Sequence, residues 1–433
     1  MKRTFIAALL AAPLLLCASC KEESNGANGA DDNGGPKEYP TAIPSTDRFP
    51  AVAWHGVRAE QATAERFLEA EQMGITLNYS RLRNLETALK ALDEAAKTNV
   101  KLIVECDELY SDEKRADAVR TLMTHKALGG YFMDDEPAPQ KFEDIARRMR
   151  EIEAIDADHI CYCNIFPTLT AETYLAWGMG GYTDYVRKYI RTCQPKFLSF
   201  DEYPVHTDRM DGTVGQILVK GTWYPTLETA RTEALRWGLD LWAFMLTCPH
   251  TAYPQPTTDH LRLQAYSDLA YGAQVLQCFT YWVPEVADND FWMYRNAPIA
   301  EDGTRTETYD LVKAMLDEVQ NVAWIFRGAT VEGVWHTRPG GTIPDMTTQL
   351  TDLPECVSQM TIRDGSQALV SVQSNHGYRF MMLQNTDVVN PMQCMIRLKE
   401  GVRRVNRDGS VTLASEDEEI QTIAPGDVRI YMW

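Results

Sequence analysis

Gly129-Gly130-Tyr131-Phe132-Met133-Asp134-Asp135-Glu136-Pro137 is a short apolar run that ends in three carboxylates and a proline. The run reads as a buried strand. Pro137 cannot continue a central ladder, so the acids stand at the strand's C-terminal tip. Strict alternation along the strand would put Asp134 and Glu136 on one face and Asp135 on the other. A helical pattern follows at once, with Phe142, Ile145, Ala146, Met149 and Ile152 on one stripe. A strand that ends in acids and feeds a helix is how a (β/α)8 barrel carries its chemistry.

Working outward, the same unit recurs. Further strands are expected at residues 51–55, 75–79, 100–105, 159–166, 197–203, 241–246 and 275–282, with helices around 64–73, 85–96, 182–193, 227–237, 260–271 and 312–322. Several strands are continuous apolar runs, as in a parallel sheet buried on both faces. Eight units without a glycine-rich phosphate loop favour a closed TIM barrel over residues 46–327 rather than an open doubly wound sheet. After Gly328 the helical spacing stops. Alternating runs at 357–362, 368–372, 380–383, 395–398 and 428–432 are separated by turn signals such as Asp364-Gly365 and Asp408-Gly409. Residues 328–433 therefore read as an all-β sandwich domain.

The chain has 433 residues and a formal net charge of −19. Such acidity argues against nucleic acid or an anionic membrane surface as the main partner and fits a neutral ligand. Residues 1–20 read as a signal peptide: Lys2-Arg3, an apolar stretch from Phe5 to Leu16, then Cys17-Ala18-Ser19-Cys20. The ending resembles a bacterial lipobox with Cys20 as the lipidated residue, and Lys21-Glu22-Glu23 resembles the export tag of some surface lipoproteins. The expectation is an exported lipoprotein, at the cell surface or in the periplasm, that meets the membrane only through its N-terminal lipid. Residues 21–45 are polar and Gly-rich, a flexible tether. Oligomeric state is not readable. The cysteines beyond Cys20 lie mostly in apolar runs, where they act as small hydrophobes, and none shows zinc-like spacing. No metal site or cofactor is expected.

Barrel strand tips converge on one face. Here they offer Trp54 and His55, Asn78 and Tyr79, Glu105 and Asp107, the acids 134–136, Asn164, Asp201-Glu202-Tyr203, His250, and Tyr281-Trp282, with Glu285, Phe291, Trp292 and Tyr294 in the loop that follows. Carboxylates and aromatics dominate; lysine and arginine are scarce. Sugars stack their ring faces on aromatics and bond their hydroxyls to carboxylates and amides, and two carboxyl groups cleave a glycosidic bond. The expected catalytic residues are Glu136 as general acid/base, with Asp135, Asp201 and Glu202 as further candidates. Trp54, His55, Asn78, Asn164, Tyr203, His250, Trp282, Glu285 and Trp292 are the expected glycan-binding residues. Each has a packing or capping alternative, strongest for His55 and His250.

Tyr131–Pro137 resembles the fourth-strand ending of clan A glycoside hydrolases such as the family 42 β-galactosidases and the family 5 enzymes. Phe200-Asp201-Glu202-Tyr203-Pro204 resembles their sixth-strand ending, and Phe279-Thr280-Tyr281-Trp282 their eighth. The resemblance implies that Glu136 is the general acid/base and that Trp282 floors the sugar site. It also implies a nucleophilic glutamate ending strand seven. This chain reads Phe244-Met245-Leu246-Thr247-Cys248-Pro249-His250 there, with no carboxylate. The second group is then Asp201 or Glu202, or Glu285, or a substrate-assisted route through Asp135–Glu136. The rival reading is a non-catalytic glycan-binding lipoprotein with a degenerate barrel.

Overall fold

The computed structural model describes residues 48–209, 215–286 and 289–433. The signal segment, Cys20 and the tether lie outside the described residues. Ten short strands fall between residues 51 and 279: β1 Ala51–Trp54, β2 Leu77–Arg81, β3 Lys101–Glu105, β4 Leu128–Asp135, β5 Ile160–Ile165, β6 Phe197–Phe200, β7 Val205–Thr207, β8 Ile217–Val219, β9 Asp240–Leu246 and β10 Ala273–Phe279. β7 and β8 form a hairpin after β6. The other eight close a parallel barrel in the order β1-β10-β9-β6-β5-β4-β3-β2. In that ring β4 faces β10 and β6 faces β2.

The helices start and stop where side chains can satisfy their ends. α1 (Ala64–Met73) is capped by Thr63 and ends at Gly74, whose φ of 114° is left-handed. α2 (Leu85–Ala95) is capped by Asn84. α3 (Asp107–Tyr110) and α4 (Arg115–Leu122) fill the stretch after β3, where the spacing predicted no helix. Their buried face is carried by Leu109, Ala118, Val119, Leu122 and Arg115, which sits almost fully buried and pairs with Asp112 and Glu151. A stripe built around an arginine does not register as hydrophobic periodicity. α5 (Phe142–Glu153), α6 (Ala171–Ala176), α7 (Tyr182–Cys193), α8 (Trp223–Trp237) and α9 (Thr258–Ala270) follow their strands, then α10 (Asn289–Trp292), α11 (Glu307–Asn321) and α12 (Ala323–Phe326).

Aromatic rings fill the barrel. Trp54 packs on Tyr79 with centroids 4.3 Å apart and on Phe244 at 5.4 Å, while Phe197 stacks on Trp242 at 4.1 Å. Trp54 is 3% exposed. It was expected to bind glycan; instead it is interior packing, enclosed by Tyr79, Phe132, Tyr162 and Phe244.

The chain continues into β11 Thr330–Thr337, β12 Val357–Ile362, β13 Ala368–Asn375, β14 Tyr378–Asn385, β15 Met392–Leu398, β16 Arg403–Val405, β17 Val411–Leu413, β18 Glu419–Ile423 and β19 Val428–Met432. They form a six-stranded sheet, β11-β13-β14-β19-β16-β17, and a three-stranded one, β12-β15-β18. Val370, Met381, Leu383, Ile396, Ile423 and Tyr431 lie in the core they share. Buried polar side chains join this domain to α9. Gln384 donates to the Leu263 carbonyl at 3.2 Å, Gln373 to that of Leu269 at 2.8 Å and Ser371 to that of Ala270 at 2.9 Å. The eight cysteines among the described residues are free and buried.

Candidate active site

The tip of β4 departs from simple alternation. Its pairing with β5 shifts register between Phe132 and Asp134, so that Phe132 stands opposite Tyr162 but Asp134 opposite Cys163. A bulged residue moves the inward position along by one. The strict alternation expected along this strand, with Asp134 and Glu136 on one face and Asp135 on the other, is therefore broken at Asp134. Asp134 accepts a bond from Lys141, 3.1 Å away, and another at 2.9 Å from the Asp135 amide. Asp135 takes the inward place opposite Asn164. Glu136 then follows with a φ of 47°, a left-handed backbone that a glutamate rarely adopts, and its amide is held by the Asn164 carbonyl at 2.9 Å. Such strain persists only where the surroundings enforce it, and it gathers at functional sites.

Asn164 knits the acids together. Its Nδ2 donates to Asp135 Oδ1 at 3.2 Å and to Asp201 Oδ1 at 2.8 Å, and its Oδ1 accepts from Ser199 at 2.9 Å. Glu136 lies close enough to Asp201 for the two carboxyl groups to influence each other's charge. One step along the chain, Glu202 points the other way, into the layer between barrel and helices. It pairs with Lys220 at 3.1 Å and lies 3.5 Å from Thr226. Glu202 was a catalytic candidate; buried in that ion pair, it is not part of the acid cluster.

Crowding sets the charge of the cluster. Burial, then repulsion from Asp135, pushes the Glu136 carboxyl up to about 7, against the opposing contact with Asp201. Asp201 is raised well above the usual carboxylate range by burial, Glu136 and Asp135. Asp135 is raised by the protein walls around it, although one side opens to solvent, and the Asn164 bond opposes the rise. Three acids this close cannot all be ionised near neutral pH, so at least one proton is retained among them.

The opposite half of the bowl is aromatic. Half-buried Phe279, at the end of β10, lies 5.4 Å from Tyr203, 5.7 Å from His250 and 6.2 Å from Tyr294. His250 also packs against Tyr253 at 4.8 Å. Its Nδ1 donates to the Cys248 carbonyl at 2.9 Å, and burial lowers its pKa to about 4, so the ring is neutral. Trp292, 42% exposed, stacks on Tyr294 at 6.0 Å on the rim. Thr247 and Cys248, where the resemblance would place a nucleophilic glutamate, are both fully buried.

Other expected binding residues lie elsewhere. Asn78 is buried, and its Oδ1 accepts from the Val57 amide at 2.7 Å, so it fixes the loop after β1. Trp282 is 1% exposed, wedged between the guanidinium groups of Arg58 and Arg66 at 5.1 and 5.3 Å. It is a packing residue, whereas Phe279 keeps part of its ring open to solvent. Glu285 pairs with Arg58 at 2.5 Å and anchors its loop. His55 is exposed, with a φ of 44°, beside a cavity of about 560 Å3 lined by Arg58, Arg81 and Asp107. Tyr253 and Phe279 in this bowl, and Lys220 as the partner of Glu202, were not anticipated from the sequence. For the first two the signal lay in plain view, as aromatics at or just beyond a strand tip. Lys220 is brought to Glu202 by the β7–β8 hairpin, which leaves little trace in the sequence.

No family model matches the chain, and no curated protein matches it in sequence. Solved structures do match in shape. A β-galactosidase from Bacillus circulans sp. alkalophilus superposes with a TM-score of 0.54 over 89% of this chain and 99% of that one, at 9% identity. The likeness is one of fold, a (β/α)8 barrel followed by antiparallel sheets. A β-galactosidase from Marinomonas ef1 matches at 12% identity and TM-score 0.45, covering 63% of this chain and 60% of that enzyme. An endo-β-1,4-mannanase from Thermotoga petrophila matches at 12% identity and TM-score 0.38, covering 78% and 95%.

Proposed function

We propose that the protein is a glycoside hydrolase acting on a neutral oligo- or polysaccharide, with Glu136 as general acid/base. One observation carries this reading. Glu136 sits at a barrel strand tip in strained backbone, and burial together with repulsion from Asp135 raises its carboxyl to about 7, protonated often enough to give a proton and basic enough to take one back. Asp201 is the strand-six carboxylate available to it, since Glu202 is committed to Lys220. The aromatic half of the bowl offers ring faces to a sugar. The N-terminal segment fits an exported, lipid-anchored chain, which would meet its glycan outside the cytoplasm.

The absence of a carboxylate at the β9 tip favours a second reading, a barrel that binds glycan without cleaving it. Glu136→Gln separates the two. An enzyme loses turnover and keeps affinity, whereas a binder shows no turnover in the wild-type protein.

A further inference from the structure

We infer that Ser199 is a positioning residue of the acid cluster: anchored by Gln277 from the far wall of the barrel, it fixes which end of the Asn164 amide faces Asp135 and Asp201. Its bearing on turnover rests on the proposed role of Glu136. Four interior side chains carry the inference. Tyr162 and Asn164 belong to β5, Ser199 to β6 and Gln277 to β10, and all four are buried. Ser199 stands beside Asn164 in the register of β5 and β6. Tyr162 and Gln277 lie two residues before Asn164 and Phe279, one inward position below the site. At that depth a polar group without a protein partner is costly.

The protons can be followed from one wall to the other. The Tyr162 hydroxyl donates to Gln277 Oε1 at 2.6 Å, and Gln277 Nε2 donates to Ser199 Oγ at 2.9 Å. A serine hydroxyl has one proton to give. Two oxygens are within its reach, Asn164 Oδ1 at 2.9 Å and the Tyr162 hydroxyl at 3.0 Å. The amide oxygen is the stronger acceptor, so Ser199 donates to Asn164. That bond turns the carbonyl end of the amide away from the acids and leaves both Nδ2 protons for Asp201, at 2.8 Å, and Asp135, at 3.2 Å.

The reversed amide meets two objections. It sets Oδ1 against carboxylate oxygens, and it brings Nδ2 to a serine oxygen already engaged by Gln277. The first objection lapses whenever the acids are protonated, because a carboxyl O–H can donate to Oδ1. Only the Ser199 side opposes reversal at every pH, so Ser199 keeps the amide set for ionised acids. The surroundings offer little substitute. Asp135 is faced by Asp134, Glu136 and Glu105, and Asp201 by Glu136, Asp135 and Glu202. The nearby cations Lys141, Arg81 and Lys220 are paired with Asp134, Asp107 and Glu202. Burial raises the phenols of Tyr162 and Tyr203, which stay neutral. The Asn164 amide is the neutral donor that the two acids share.

The test compares Ser199→Ala, Ser199→Cys and Ser371→Ala with the wild-type protein. Ser371 is an equally buried hydroxyl at the domain junction, bound to the Ala270 carbonyl, and serves as the purely structural control. Melting is read at pH 4 and pH 8, and a kcat/KM–pH series is run on the best-cleaved member of a glycan panel. Without the Ser199 proton, Asp135 and Asp201 are less well supported when ionised and titrate higher, so the variant's stability deficit grows with pH. The expected result is a Ser199→Ala deficit about twice as large at pH 8 as at pH 4. Ser199→Cys, which offers only a weak donor, should show the same trend at smaller amplitude. Ser371→Ala should show one deficit at both values. The acidic limb of the profile should rise by roughly half a pH unit in Ser199→Ala and stay in place in Ser371→Ala. A Ser199→Ala deficit equal at the two pH values, or the same pH dependence in Ser371→Ala, would overturn the inference. The melts need no substrate: a wild-type protein that cleaves no glycan would overturn the glycosidase reading and leave the melts to decide this one.

Discussion

Asn164 and Asp201 are joined by a hydrogen bond of 2.8 Å between neighbouring barrel strands. Through its second proton the same amide reaches Asp135 at 3.2 Å, so one neutral side chain positions two acids and favours the ionised form of each. Replacing Asn164 by alanine removes that support. Asp135 and Asp201 should titrate higher, so the acidic limb of the kcat/KM profile should move to higher pH. The lost buried bonds should cost about 1–3 kcal/mol of stability. A pH–rate series beside a denaturation curve checks both; a profile that does not move would separate Asn164 from the acids.

Glu136 also carries a stability signature. Its folded value of about 7 lies above the ordinary 4.5, so the native state holds a proton that the unfolded chain has released. The wild-type protein therefore loses stability as pH rises from about 4.5 to 7. Glu136→Gln removes this contribution and should melt higher than wild type at pH 8, by roughly 1 kcal/mol after allowance for solvent access, with little difference at pH 4. Thermal melts at the two pH values test the sign.

Asp268 behaves in the same direction for a simpler reason. It is fully buried on α9, and neither of its carboxylate oxygens has a hydrogen-bond partner among the described residues. Burial alone raises it well above the carboxylate range. Asp268→Asn should flatten the alkaline side of the stability–pH curve without changing turnover, as read by melting from pH 6 to 9.

Glu202 and Lys220 form a buried pair at 3.1 Å that lies outside the acid cluster. Glu202→Gln leaves the lysine without its counter-charge, and one-sided breakage of a buried pair is costly, up to about 3 kcal/mol here because Lys220 is partly exposed. The variant should unfold at lower denaturant while keeping most of its kcat at 25 °C. A collapse of kcat in a folded Glu202→Gln protein would restore it as a catalytic candidate.

The two tryptophans Trp54 and Trp292 should part company. Trp292→Ala, on the rim, should raise KM several-fold with kcat and melting temperature little changed. Trp54→Ala empties a position in the barrel's interior and should cost about 3–5 kcal/mol of stability. Steady-state kinetics and denaturant melts distinguish these outcomes.

Much of this was legible in the chain. β4 was expected at 129–136 and runs from Leu128 to Asp135; α7 was expected at 182–193 and spans those residues. Continuous apolar strands and periodic helices announce themselves because burial acts on every residue of the element. The hairpin β7–β8 did not, since strands of three residues leave no period to detect. Nor did the bulge at the tip of β4, which exists only in the pairing with β5 and alone decides which acid points inward. Trp54 and Trp282 look like sugar platforms in sequence, yet packing from distant segments covers both. Phe279, the half-buried ring that ends β10, was passed over because a phenylalanine at the end of a buried run reads as core.

The most direct test of the account is the release of reducing sugar from a broad glycan panel by the purified protein, run beside Glu136→Gln. The account predicts release by the wild-type protein that falls at least a hundredfold in the variant while glycan affinity persists. Equal release by both proteins, or glycan binding with no release by either, would contradict it.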